Sequence, residues 1–74
     1  MSEPKVGGTY RHFKGTLYRV LAIGLHTEDD EVEVVYQAVE GKEPRPVWVR
    51  PLSSWNSRTG LLGSGRERFV EERT

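Results

Sequence analysis

Two strand-like runs separated by a short acidic turn constrain the fold more than any other feature of the sequence. Residues 16–26 and 31–40 are rich in aliphatic, β-branched and aromatic side chains, and residues 27–30 between them read Thr-Glu-Asp-Asp. Acidic side chains stabilise turns by accepting hydrogen bonds from nearby backbone N–H groups. The pattern therefore predicts a β-hairpin, around which the rest of the chain must pack.

Shorter strand-like runs lie on both sides of this hairpin. They are predicted at residues 9–13, 47–50 and 66–71, and residues 52–55 suit one helical or 3₁₀ turn. Five short strands with one helical turn before the last strand predict an all-β fold of the SH3-like barrel type. Closing the sheet would remove its exposed edges. A barrel of the OB type is the alternative.

Length and composition limit the kind of protein this can be. With 74 residues and no cysteine, the chain holds one domain without disulfides or thiolate metal sites. We expect a disordered tail at residues 1–7 and a single domain at residues 8–74. The sequence has no apolar run of about 20 residues and no apolar signal segment, so we expect a cytoplasmic protein with no membrane partner.

Side-chain alternation along the strands predicts which residues form the core. The predicted core comprises Tyr10, Val20, Ala22, Ile23, Val34, Tyr36, Val47, Val49, Leu52 and Phe69. The second strand is apolar on both faces near its centre, which indicates a bend or a bulge, and Gly24 is the expected place for it.

The first turn decides which side chains of strands one and two share a face. A two-residue turn pairs His12 with Leu17, whereas one extra residue pairs Tyr10 with Val20 and His12 with Tyr18. A slip of one residue moves every side chain to the other face. We prefer the second register because it buries Tyr10 against Val20.

Several short segments in a fixed order resemble a known family. They are residues 8–15 (Gly-Thr-Tyr-Arg-His-Phe-Lys-Gly), Tyr18 and Val20, residues 26–28, residues 34–36, residues 48–51 (Trp-Val-Arg-Pro) and residues 68–69. Over about residues 8–69 the chain resembles the small, mostly bacterial "domain of unknown function 1653" family. The resemblance implies a stand-alone soluble domain and no established reaction. It also implies a patch formed by Tyr10, His12, Lys14, Tyr18, His26, Glu28, Tyr36, Trp48 and Arg50.

The segment His26-Thr27-Glu28 permits two interpretations. Histidine titrates near neutrality, and a carboxylate two residues away on a continuing strand would orient it for acid–base chemistry. Alternatively, His26 closes the hairpin and the other two residues belong to the turn. Together with His12 these side chains could also ligate zinc, but nothing in their spacing requires a metal.

Trp48 and Arg50 form the most suggestive pair, since side chains two residues apart on a strand share a face. An indole beside a guanidinium can hold a planar or anionic ligand by stacking and hydrogen bonding. The alternative is that Trp48 plugs the end of the barrel and Arg50 pairs with an acid such as Glu33. An aromatic groove for proline-rich peptides is also compatible with the sequence, and its residues would be Tyr10, Tyr18, Tyr36, Trp48, Trp55 and Pro51.

Charge balance counts against a general nucleic-acid binder. The chain has 11 basic and 11 acidic residues and a net charge of zero, although the acids concentrate at residues 28–33 and could leave a basic face elsewhere. Nucleic acid is therefore a possible partner but not the favoured one. No phosphate-binding loop and no nucleophile paired with histidine is evident.

These observations favour a binding module for a peptide, a nucleic acid or a small anionic ligand. We expect no catalytic residue, metal or cofactor. The alternatives are a small enzyme that uses His26 with Glu28, and a protein–protein interaction domain. The candidate ligand-binding residues are His12, Tyr18, His26, Glu28, Tyr36, Trp48 and Arg50.

Overall fold

The computed structural model describes residues 3–59 and 65–72. The elements are β1 (Thr9–His12), β2 (Leu17–Leu25), β3 (Val32–Ala38), β4 (Val47–Pro51), α1 (Leu52–Trp55) and β5 (Phe69–Glu71). The strands form one antiparallel sheet in the order β4-β3-β2-β1-β5. The all-β class, the five strands and the short helix before the last strand are confirmed. Within the described ranges, no helix is both long and apolar enough to cross a membrane.

The sheet is open, so the predicted closure into a barrel is not confirmed. β4 and β5 lie at opposite edges, and no pairing joins them in the part of the chain that the structure describes. Pro46 precedes β4 and Pro51 ends it. Because proline has no backbone N–H, it limits further pairing at that edge. An SH3-like arrangement of this sheet stays a prediction.

A β-bulge in β2 corrects two expectations about this strand. Val20 pairs with Tyr36 and Ala22 pairs with Val35, so Leu21 is an extra residue in the ladder. The bulge therefore lies at Leu21, not at Gly24, which pairs regularly. Because one inserted residue reverses the alternation, Ala22 faces outward and is exposed instead of joining the core.

The turn between β1 and β2 lies one position earlier in the chain than the preferred form, because residues 13–15 connect His12 to Thr16. Tyr10 pairs with Tyr18, and the His12 backbone N–H donates to the Thr16 carbonyl at 2.9 Å. The expected pairings of Tyr10 with Val20 and of His12 with Tyr18 are therefore wrong by two residues. Since a shift of two preserves the face, Tyr10 and His12 still lie on the same side as Tyr18 and Val20. Gly15, at φ +108, makes this turn possible.

The core lies on one face of the sheet, which we call the inner face. Its buried side chains are Tyr10, Val20, Val34, Tyr36, Trp55 and Phe69, and Tyr18, Ile23 and Leu52 pack against them. Val47 and Val49 are wrongly predicted core residues, because their strand turns them to the uncovered outer face, where they are 51% and 57% exposed.

Trp55 is a core residue that the sequence interpretation did not include in the predicted core. Its ring stacks on Phe69 with a centroid distance of 3.7 Å and an interplanar angle of 3°. Tyr10 and Tyr36 meet the same indole edge-on, at 5.4 and 5.2 Å. α1 thus packs across the inner face and supplies the core's largest side chain.

The N-terminal segment contacts the sheet from residue 4 onward. Pro4 is buried, the Lys5 N–H donates to the Tyr10 hydroxyl at 2.8 Å, and the Gly7 N–H donates to the Val20 carbonyl at 2.8 Å. These contacts involve residues assigned by sequence to a tail. The boundaries of the tail and of the domain stay predictions.

Candidate functional site

A cleft opens at one end of the inner face, with a volume of about 280 Å³. Its walls come from the β1–β2 turn, the start of β2, β3 and the edge strand β4. The lining residues are His12, Lys14, Thr16, Tyr18, Tyr36, Trp48 and Arg50. Five of the seven predicted site residues, all but His26 and Glu28, therefore meet at one concavity.

Strand register explains why these side chains converge. Tyr36 on β3 pairs with Trp48 on β4, and Val34 pairs with Arg50. Because directly paired residues point to the same face, Trp48 and Arg50 lie on the inner face beside the core. The sequence places them two residues apart, and the register of β4 turns both toward the cleft.

Arg50 is held in place by neutral groups. Its Nε donates to the Tyr36 hydroxyl at 3.1 Å, and its Nη1 donates to Ser54 Oγ at 3.1 Å. The guanidinium also lies over the Phe69 ring, 5.4 Å from the centroid. The alternative interpretation, an ion pair with Glu33, is not formed. Arg50 therefore keeps a full positive charge in a fixed position, with further N–H groups that bond to none of the described residues.

The cleft is electrostatically positive where His12 lies. Partial burial lowers the pKa of His12, and the nearby charges of Arg50, Arg68 and Lys14 lower it further. The Lys14 backbone N–H also donates to His12 Nδ1 at 3.2 Å, which requires that nitrogen to be unprotonated. His12 is therefore a neutral imidazole in a cluster of cations.

The three cations around His12 have no carboxylate partner among the described residues. The ion pairs of lysine and arginine among the described residues join Lys5 to Glu71, Arg11 to Glu72, and Arg45 to Glu43. Lys14, Arg50 and Arg68 belong to none of them. Positive charge without a carboxylate partner therefore lies around this cleft, although the net charge of the chain is zero.

The acidic turn lies far from the Tyr18 end of the cleft. Tyr18 lines the cleft at one end of β2, and Leu25 precedes the turn at the other end. Seven residues of strand separate them, which corresponds to about 23 Å. Glu31 lies nearer the Arg50 end, because its carboxylate accepts a hydrogen bond from Ser53 Oγ at 3.2 Å, beside Ser54, which contacts Arg50. Among the described residues, no acidic side chain lines the cleft itself.

Trp48 differs from the other aromatic side chains of the chain. It is 50% exposed, so it does not plug the end of the sheet as the alternative interpretation required. Within residues 3–59 and 65–72, every other Phe, Tyr and Trp ring packs against a second ring, whereas Trp48 packs against none. Its indole stands at the open edge of the cleft.

His26 and Glu28 lie in the β2–β3 turn, away from the cleft. The Glu28 backbone N–H donates to His26 Nδ1 at 3.2 Å, and the carboxylate near that nitrogen belongs to Asp29, at 3.4 Å. Regular alternation along β2 predicts that His26 shares a face with Tyr18, but this is wrong because the bulge at Leu21 reverses the alternation between them. This geometry matches the turn-closing interpretation and not a His26–Glu28 acid–base pair.

No cluster of three or more His, Cys, Asp and Glu side chains suited to a metal ion occurs in the described residues. His12 and His26 lie at opposite ends of the β2–β3 hairpin, so they do not combine into the ligand set considered from the sequence.

Thr16 and Lys14 line the cleft but were not among the candidates drawn from the residues themselves. Lys14 was implied by the family resemblance, whereas Thr16 was not. Both line the cleft because the first turn occupies residues 13–15, one position earlier than expected, which brings Thr16 opposite His12. The sequence signal for the position of this turn was Gly15, because glycine is preferred in turns.

Comparison with known proteins agrees with the resemblance found in the sequence. The family described as "Protein of unknown function (DUF1653)" matches residues 8–71. The chain belongs to this family. A crystal structure of a DUF1653 protein from Bordetella bronchiseptica is 37% identical to it and superposes with a TM-score of 0.70, over 86% of this chain and 82% of that one. No curated protein matches the chain.

Proposed function

We propose that this DUF1653 domain is a binding module whose cleft holds an anionic group. The group would sit between the Arg50 guanidinium and the Lys14 ammonium, above the aromatic floor made by Tyr18 and Tyr36. A cleft with cations, hydroxyls and rings but no acid suits an anion carried on a larger ligand.

One observation carries the proposal: Arg50 is fixed by Tyr36, Ser54 and Phe69 and yet has no carboxylate partner among the described residues. Arginines that serve only the fold are commonly paired with an acid, because an unpaired and partly desolvated charge costs free energy. A fixed guanidinium with donors to spare is prepared to bind an anion without further ordering of its side chain.

The test uses inorganic sulfate, an anion whose charge is constant near neutral pH, at fixed ionic strength. We expect saturable NMR shifts at the Trp48 indole, Tyr36 and His12 when sulfate is added to the wild-type domain. Arg50→Gln should abolish them, and Lys14→Gln, which removes a charge but no side-chain hydrogen bond, should weaken them.

Arg19→Gln is the matched control. Arg19 is exposed and pairs with Thr9 and Gln37 on the outer face, away from the cleft. It should leave sulfate binding unchanged. Equal binding by the wild type and by both Arg50→Gln and Lys14→Gln, or shifts centred on Arg19, would refute the proposal.

His12 gives the site a pH dependence of known sign. Burial and three cations lower the pKa of His12 in the free domain, and a bound anion would raise it again. Protonation then accompanies binding, so affinity for sulfate should rise as the pH falls from about 8 to about 5. His12→Gln should flatten this profile, and an unchanged profile in that variant would exclude His12 from the site.

A further inference from the structure

The exposed indole of Trp48 points to the chemical class of the ligand. We propose that the cleft binds a nucleotide unit, with its base stacked on Trp48 and its phosphate held by Arg50 and Lys14. This inference rests on the proposed anion site and adds to it a planar group next to the anion.

The first step concerns the exposure of the Trp48 ring. All other aromatic rings of the chain pack in ring pairs among the described residues, which satisfies their apolar faces inside or beside the core. Trp48 is half exposed on an edge strand, with no strand beyond it to cover the ring. A solvent-facing indole at the mouth of a cationic cleft is a stacking surface for a planar group.

The second step is the spacing between the indole and the guanidinium. Trp48 and Arg50 are two residues apart on β4, so their Cα atoms are about 7 Å apart and their side chains point to the same face. In a nucleotide, one sugar separates a flat base from a phosphate. The Thr16 and Tyr18 hydroxyls line the same cleft and offer hydrogen-bond partners to sugar hydroxyls.

The third step is the charge of the chain. Zero net charge argues against nucleotide ligands only if the acids lie near the site. Among the described residues, no acidic side chain lines the cleft, Glu31 hydrogen-bonds Ser53, and Glu43 and Glu72 are engaged by Arg45 and Arg11. The local field at the cleft is positive, and this local field is what attracts a phosphate.

The experiment compares AMP, ribose 5-phosphate and phenyl phosphate by NMR titration. A base that stacks on Trp48 should make AMP bind roughly 5- to 140-fold more tightly than ribose 5-phosphate. Trp48→Ala should remove this advantage and leave ribose 5-phosphate binding in place, and Trp48→Phe should restore part of it. Val49→Ala changes an exposed neighbour on the outer face and should leave all affinities unchanged.

Tryptophan fluorescence provides an independent readout. Trp55 is 4% exposed and stacked on Phe69, so only the emission of Trp48 should be quenched by a stacked base. AMP should quench the wild type and should not quench Trp48→Phe, whose binding is followed by NMR.

The outcomes separate this inference from the proposed function. If neither sulfate nor ribose 5-phosphate binds, both fail. If ribose 5-phosphate binds as tightly as AMP, or if phenyl phosphate matches AMP, the anion site stands and the nucleotide assignment is overturned.

A tetra-adenylate strand distinguishes the two sources of a nucleotide. Tighter binding of the strand than of AMP, weakening as salt is added, would identify the unit as part of a single-stranded nucleic acid. Tighter binding of AMP would identify a free nucleotide. Either result supports the assignment.

Discussion

Replacing Tyr36 by phenylalanine removes one hydroxyl from the floor of the cleft and leaves the rest of the side chain in place. The ring keeps its edge-on contacts with Tyr18, Trp55 and Phe69 at 5.0, 5.2 and 5.6 Å. Among the described residues, the only hydrogen bond lost is the one that the hydroxyl accepts from Arg50 Nε at 3.1 Å. Tyr36→Phe therefore measures what this bond contributes.

The magnitude follows from the setting of the bond. A hydrogen bond to a charged group contributes about 1.5–3 kcal/mol when it is shielded from water. Arg50 is only partly buried, so water can replace part of the lost interaction, and we expect a cost of about 1 kcal/mol. For a domain of this size, that corresponds to a melting temperature lower by about 4–8 °C.

The assay is urea unfolding followed by tryptophan fluorescence, with Tyr18→Phe as the matched control. Tyr18 has the same ring in the same cluster, but its hydroxyl forms no hydrogen bond with the described residues, so Tyr18→Phe should change stability by less than about 0.5 kcal/mol. A double-mutant cycle with Arg50→Met should return a coupling of about 1 kcal/mol. Equal stabilities of Tyr36→Phe and Tyr18→Phe, or zero coupling, would refute the view that Tyr36 positions Arg50.

Three further predictions concern the scaffold. Phe69→Ala should cost about 3–5 kcal/mol, most of the stability of a domain this small, and circular dichroism should show a largely unfolded chain; a cooperative transition near the wild-type midpoint would contradict this. Arg11 Nε and Nη2 donate hydrogen bonds to the Glu72 carboxylate and lower its pKa. The pair therefore stabilises the fold fully at pH values above the ordinary carboxyl pKa, and this stabilisation is lost as the pH falls through the lowered pKa of Glu72. Glu72→Gln should reduce the loss of unfolding free energy at acid pH, measured by unfolding curves at several pH values. The same pH dependence in this variant and in the wild type would show that the Arg11–Glu72 pair does not contribute to it. Gly15→Ala should destabilise by about 1–3 kcal/mol because φ is +108, whereas Gly24→Ala, with ordinary φ and open space at Cβ, should not; similar midpoints for the two variants would show that φ at position 15 carries no constraint.

The cleft and the hydrophobic core share residues, so a substitution in the cleft can change stability as well as ligand binding. Tyr36 is buried in the core and also contacts Arg50, and Phe69 is both the stacking partner of Trp55 and the ring beneath the guanidinium. Lys14, Trp48 and Thr16 lie at the rim and are exposed. Binding variants at the rim therefore separate ligand contacts from folding more cleanly than variants of the floor.

The sequence by itself determined the order and type of the elements. Period-two patterns of apolar residues, turn residues at 14–15 and 27–30, and prolines around the fourth strand are local signals, and local signals are sufficient to place short strands. The sequence also predicted that Trp48 and Arg50 lie on the same face, because side-chain alternation along a single strand needs no tertiary information.

Only the tertiary structure decided which side chains face the core and the cleft. The bulge at Leu21 reverses the alternation of β2, and this single inserted residue sends Ala22 outward and separates His26 from Tyr18. The shifted first turn brings Thr16 and Lys14 to the cleft, and the docking of α1 buries Trp55 in place of Val47 and Val49. Register and layer packing depend on contacts between distant residues, so the local pattern of one strand cannot specify them.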